Sequence, residues 1–226
     1  MTRTVFLIII AAALVAAEPA PLRIVCFGDS ITGNRPGEAY LHQYLKWTDL
    51  LGLMIEGRNG LGSIVVTNAG YAGDRTQRRG DRPGAINRLE TEVIEPAPDI
   101  VIMLIGGNDV GSIDRAETAE NLAHLFGRSR AAGIRVLALQ YAVLADQDTP
   151  GAWHHLADNN DLIAAAAAAH DIPVVDLGGP MRAAAAHAPV RSLVNMRDRV
   201  HLAPGGEMVV ARAVFAALLA QGWLDH

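Results

Sequence analysis

Four short polar clusters carry the residue types that an acyl-transfer reaction needs. Gly28-Asp29-Ser30-Ile31-Thr32 offers a hydroxyl. The stretches Asn68-Ala69-Gly70-Tyr71-Ala72-Gly73-Asp74 and Gly106-Gly107-Asn108-Asp109 offer backbone and side-chain N–H donors. Asp198-Arg199-Val200-His201 offers a carboxylate and an imidazole. A hydrolase that attacks a carbonyl needs a nucleophile, a base, an orienting acid and donors for the oxyanion. Ser30 suits the nucleophile, since it sits just past a strand end where the following turn can fix its hydroxyl. A neutral imidazole can accept the serine proton and pass it to the leaving group, which makes His201 the expected base. Asp198, three residues earlier, can reach the other ring nitrogen from a single turn of backbone. The N–H groups of Ser30 and Gly73 and the side-chain amide of Asn108 can converge as an oxyanion hole.

Each cluster also has a plainer reading. Gly-Asp-Ser can be an ordinary turn, Gly106 to Asp109 a tight one, and Asp198 can cap a helix or pair with Arg199. Their joint occurrence, in this order and at strand ends, favours chemistry. Asp29 reads as an acceptor of backbone hydrogen bonds rather than a second catalytic acid.

The elements that must position these clusters follow from hydrophobic periodicity. Leu22 to Phe27, Ser63 to Thr67, Ile100 to Ile105, Ile134 to Leu139 and Ile172 to Asp176 read as five strands. Helices are expected over Tyr40 to Glu56, Ala85 to Ile94 (stopped by Pro96 and Pro98), Ala116 to Ala132, Leu156 to His170 and Pro204 to Leu224. Gly133 is a C-cap signal. Asn68 to Gly84 and Gly106 to Ser112 read as loops. Strand then helix, repeated about five times, predicts a three-layer α/β/α sandwich around a mostly parallel five-stranded sheet. In such sheets, sites form beyond the carboxyl ends of the strands. The run Ala164 to Ala169, part of a total of 38 alanines, reads as structural: alanine is the best helix former and lets a helix lie close to the sheet.

The four clusters together resemble the SGNH hydrolases, also called the GDSL esterase and lipase family, across nearly the whole chain. The resemblance implies a flavodoxin-like SGNH hydrolase fold. It makes Ser30 the nucleophile, Asp198 and His201 its acid and base, and Ser30, Gly73 and Asn108 the oxyanion donors, while Gly70 shapes the turn. It implies no cofactor and no metal. Arg199 departs from the pattern, because a small residue often precedes the valine.

Other functions fit less well. Gly28 to Gly33 lacks the Lys and Ser/Thr of a P-loop, and the first strand lacks the spaced glycines of a dinucleotide fold. Asp29, Asn108, Asp109 and His201 are possible ligands of a metallophosphoesterase, but a two-metal site needs more histidines and carboxylates at strand ends. A nonenzymatic scaffold would not need the whole triad. The net charge of -5 and the lack of a basic tail argue against nucleic acid.

Family members include esterases, lipases, thioesterases, lysophospholipases and carbohydrate deacetylases. Small size and an open polar rim point to short-chain esters, with O-acetyl groups on carbohydrates as the expected substrate. A broad short-chain esterase, lysophospholipase or thioesterase is the alternative. Asn34, with Gly73 and Asn108, can bound an acetyl pocket, and Trp153 can stack on a sugar face or pin its loop to the core. Arg75, Arg78, Arg79 and Arg82 can meet an anionic substrate or form a solvated charge cluster.

The ends carry a separate message. Arg3, an apolar run from Val5 to Ala17, and the small residues Val15 and Ala17 have the layout of a signal peptide cut after Ala17. The expectation is export to the periplasm or extracellular space, with residues 18–226 forming one domain and no membrane span in the mature protein. Cys26 is the lone cysteine, so it forms no intramolecular disulfide; inside an apolar strand it reads as a small buried hydrophobe.

Overall fold

Continuous apolar runs become central strands because both of their faces are covered. Ile100–Leu104 (β3) is buried at every position, and Leu22–Gly28 (β1) at all but Arg23. The computed structural model describes residues 20–33, 44–142, 154–198 and 200–225. The proposed signal segment and its cut, together with Asn34, Trp153 and Arg199, therefore lie outside the described residues.

Ile64–Gly70 (β2), Arg135–Gln140 (β4) and Val174–Asp176 (β5) complete a five-stranded sheet of order β2-β1-β3-β4-β5. Every pairing is parallel. Helices Trp47–Asn59 (α1), Gly178–Ala185 (α5) and Pro204–Ala220 (α6) cover one face. Ala85–Leu89 (α2), Arg115–Ala131 (α3) and Asn160–Ala168 (α4) cover the other. The expected α/β/α sandwich is the architecture found. The chain leaves β1 toward β2 and then returns to β3 on the other side. That reversal opens a crevice at the carboxyl ends of β1 and β3, where Ser30 and Asn108 follow directly. Among the described residues, no helix is long and apolar enough to cross a membrane. Cys26 is fully buried in β1, and burial raises its thiol pKa.

Five expectations need correction. The helix expected from Tyr40 starts only at Trp47, after an extended Lys46 whose N–H is accepted by Asp49. Strand β2 runs on through Asn68, Ala69 and Gly70, which pair with Cys26, Phe27 and Gly28; ladder pairing overrides the turn propensity of those residues. The helix begun at Ala85 widens to a π-helical stretch over Glu90–Ile94. The helix expected from Leu156 begins as a 3-10 segment, His154–Asn159, with α4 starting only at Asn160. There Asn159 and Asn160 donate to the carbonyls of Gly106 and Tyr141, tertiary bonds that tie the start of α4 to the ends of β3 and β4. Helix α5 was not expected. Asp176 accepts from the N–H groups of Gly178 and Gly179 at its start, and Pro180 lies in its first turn; that pair was the readable signal. Five alanines of the Ala164–Ala169 run lie in α4, with Ala167 fully buried.

Candidate active site

The turn after β1 is fixed from several sides. Asp29 Oδ1 accepts the N–H of Ile31 at 2.9 Å, and its carbonyl accepts from Thr32 and Gly33. Buried Trp47, at the start of α1, donates from Nε1 to the Ile31 carbonyl at 3.1 Å. Asn68 Nδ2 donates to the Thr32 carbonyl at 2.7 Å. Ser30 sits half-buried on this braced turn.

Asp198 and His201 lie on the loop before α6. His201 Nδ1 is 2.9 Å from Asp198 Oδ2, while Oδ1 accepts the N–H groups of Val200 and His201 at 2.9 and 3.0 Å. Partial burial pushes the Asp198 pKa up, but bonds from the imidazole and the two backbone donors outweigh it and hold the carboxyl below its usual range. With Nδ1–H donated to the carboxylate, Nε2 is left as the acceptor. The loop is tied down by the Tyr44 hydroxyl, which donates to the Leu202 carbonyl at 2.6 Å, and by an antiparallel bridge between Val194 and Leu202.

The second and third clusters reach the same crevice. The Tyr71 N–H donates to the Gly28 carbonyl. Gly73 has φ +70°, in the left-handed region that favours glycine. Gly70 abuts Gly33: a Cβ there would lie 2.1 Å from the Gly33 nitrogen, so its role is close strand-end packing rather than a turn. Asn108 Nδ2 donates to the Asp74 carbonyl at 3.0 Å and to Asp29 Oδ2 at 3.2 Å. Among the described residues, the N–H groups of Ser30 and Gly73 have no protein acceptor. Ile31, next to Ser30, and Val200 and Leu202, on either side of His201, line one cavity, which places the fourth cluster near the first. The cavity is small and apolar, and Tyr141 and Leu156 also line it.

The residue types named as possible metal ligands have other partners. Asp109 is buried and accepts from the Thr76 N–H and from the Thr76 and Thr118 hydroxyls. Among the described residues, no three His, Cys, Asp or Glu side chains gather to hold a metal ion.

The arginine group divides. Arg79 pairs with Glu117 at 3.4 Å, and Arg75 Nε reaches the Asn108 carbonyl at 2.9 Å. Arg82 packs its guanidinium against Gly73 and reaches Asp81 at 3.3 Å. Arg78 is exposed. Sequence reasoning passed over Arg88, which is buried and holds Asp74 Oδ2 at 2.9 Å. It also donates to the carbonyls of Gly28 and Ala69 and lies over the Phe27 ring. One guanidinium thereby binds the ends of β1 and β2 to the loop that carries Gly73. Its signal was an arginine on the apolar side of a short helix.

The sequence profile of the GDSL-like Lipase/Acylhydrolase family matches residues 26–207, a span that holds all four clusters. The chain belongs to that family. It is a serine-dependent hydrolase. No curated protein matches its sequence. Among solved structures, LAE5, an alpha/beta hydrolase enzyme from the metagenome of Lake Arreo, Spain, is similar with 23% identity and a TM-score of 0.71, covering 92% of this chain and 98% of its own. The lipase/acylhydrolase from Enterococcus faecalis has 25% identity and a TM-score of 0.69, covering 88% and 96%. The acetylxylan esterase Axe2 from Geobacillus stearothermophilus has 19% identity and a TM-score of 0.70, covering 86% and 93%. These likenesses extend the shared fold over nearly the whole GDSL-like domain.

Proposed function

We propose that this acylhydrolase removes short acyl groups, acetyl foremost, from carbohydrate hydroxyls through an acyl-enzyme. The observation that carries the reading is the Asp198–His201 pair, 2.9 Å apart, on a loop whose Val200 and Leu202 share a small apolar cavity with Ile31, the neighbour of Ser30. In the first step, Ser30 Oγ attacks the ester carbonyl while Nε2 of His201 takes its proton. Oxyanion charge meets the N–H groups of Ser30 and Gly73 and the amide of Asn108. The imidazolium, stabilised by Asp198, returns the proton to the departing sugar alcohol. Water, deprotonated by His201, then releases the acid from Ser30.

The cavity beside Ile31 and Val200, at about 10 Å³, has room for about one water, so support for a short acyl group comes from the structural neighbours. The acetylxylan esterase among the structural neighbours makes an acetylated glycan a reasonable first substrate. Asn34 and Trp153 stay candidate substrate contacts on sequence grounds.

A hydrolysis panel tests this. It compares acetylated xylo-oligosaccharides with p-nitrophenyl esters of two to twelve carbons (about), acyl thioesters and lysophospholipid. Highest kcat/KM on the acetylated sugar is expected. Preference for long acyl chains, thioester or lysophospholipid would reject the deacetylase reading in favour of the corresponding alternative.

A further inference from the structure

Tyr141 belongs to none of the four clusters, yet it touches the carboxylate beside the nucleophile. It follows β4 directly, and its side chain is almost completely buried. Its hydroxyl donates to Oδ2 of Asp29 at 2.6 Å. The same oxygen accepts from Asn108 Nδ2 at 3.2 Å, while Oδ1 accepts the N–H of Ile31. One buried carboxylate thus joins the turn of Ser30, the amide of Asn108 and the Tyr141 phenol.

The phenol is itself held in place. Asn160 grips the Tyr141 backbone at both ends, accepting its N–H at 2.9 Å and donating to its carbonyl at 3.0 Å. The ring lies so close over Gly107 that a Cβ there would be 2.8 Å from Cζ. Gly107 directly precedes Asn108, so ring and amide are placed together.

Both Nδ2 hydrogens of Asn108 have protein acceptors, Asp74 and Asp29. To donate to an oxyanion, Asn108 must turn one of them away. The longer bond, to Asp29, is the one to yield. A buried carboxylate oxygen left without a donor is costly. The shorter bond from Tyr141 keeps Oδ2 satisfied when Asn108 turns.

We propose that Tyr141 is a positioning residue for the oxyanion hole: its hydroxyl holds Asp29 Oδ2, so that the Asn108 amide is kept beside Ser30 and can move from Asp29 to the oxyanion at low cost. The proposal rests on the assignment of Ser30 and Asn108 made above. The ionised carboxylate is the form that accepts both donors. Besides Tyr141, the titratable groups near Asp29 are His201, from the loop before α6, and Asp74, from the loop after β2. Asp109 faces Tyr141 from the loop after β3. Burial raises the Asp29 pKa to about 6, and the Tyr141 bond opposes that rise. Loss of the hydroxyl therefore pushes it higher still.

The test compares wild type, Y141F, D29N, Y141F/D29N and S30A on p-nitrophenyl acetate, with kcat and KM measured across pH and thermal unfolding in parallel. In Y141F, kcat falls about tenfold or more with KM nearly unchanged, and the acid limb of kcat moves to higher pH. In the D29N background, the same substitution leaves the limb where it is. Wild-type kinetics in Y141F beside an inactive S30A overturns the proposal alone. A fall in kcat with an unmoved acid limb, or one matched by global unfolding, also overturns it, because it marks Tyr141 as packing only. Activity surviving in S30A would remove the machinery that Tyr141 serves, and the proposal with it.

Discussion

Oδ1 of Asp198 accepts the backbone N–H of His201 while Oδ2 of the same carboxylate faces the His201 ring at 2.9 Å. A single acid therefore fixes both the loop and the ring of the proposed base. Asn at position 198 keeps the shape but can turn its amide toward Nδ1, which favours the wrong tautomer. We expect D198N to lose about 10⁴-fold in kcat, with KM close to wild type. Steady-state hydrolysis of p-nitrophenyl acetate measures it. A loss below tenfold would show that Asp198 does not set the tautomer.

Gly73 combines a left-handed backbone with a close neighbour. A Cβ there would lie 2.8 Å from Arg82 Nε, and φ is +70°. The Arg82 side chain is partly exposed and can shift, so the lasting penalty is backbone strain of about 1–2 kcal/mol. We expect G73A to lower the unfolding free energy by about that much and to cut kcat at least tenfold by re-aiming the N–H. The double variant G73A/R82A regains space but keeps the strain, so its kcat should match that of G73A. Recovery in the double variant would assign the defect to crowding instead.

The layers and sheet were legible because β1 and β3 are unbroken apolar runs, which need cover on both faces. The four clusters were legible because each joins a strand end or loop to chemically distinctive residues. Tyr141 and Arg88 were not. Tyr141 sits at the end of an apolar strand and gains its meaning only from Asp29, 112 residues away. Arg88 is one of many arginines, and no local pattern says that it reaches back to the Gly28 carbonyl. Helix α5 was missed because Gly178-Gly179-Pro180 reads as loop, although Asp176 supplies the acceptors for its first N–H groups.

Arg88 and Asp74 form an ion pair with side chains only 6% and 0% exposed. Removing one partner of a buried pair leaves the other charge uncompensated, at about 3–5 kcal/mol. We expect R88M to be destabilised on that scale in urea unfolding. R88M/D74N should recover part of the loss, since no bare buried carboxylate remains; Glu92, the other carboxylate paired with Arg88, is partly exposed. R88K should resemble R88M more than wild type, because an ammonium cannot reproduce the fork that spans Asp74, Gly28 and Ala69. Wild-type stability in R88K would show that charge alone suffices.

Stability should also depend on pH with a sign opposite to ordinary acid denaturation over part of the range. Desolvation by burial raises the carboxyl pKa of Asp29, to about 6, and those of Asp109 and Glu207. A raised acid pKa means that the native state binds more protons than the unfolded chain between the two values. Stability then falls as pH rises through that window, here from about 4 to 6 for Asp29. Asp198 works the other way. Its carboxyl is held below the usual range, so its contribution is present above the unfolded value and is lost as pH falls through the lower folded one. Asp29 alone can change the unfolding free energy by up to about 3 kcal/mol across its window. Urea unfolding at pH 4, 5 and 6.5 (about) measures the slope. D29N keeps one acceptor oxygen, for Ile31 or for Tyr141 but not both, and cannot titrate, so its stability should vary less with pH than that of wild type. Parallel curves for the two proteins would mean that Asp29 keeps its unfolded pKa in the fold.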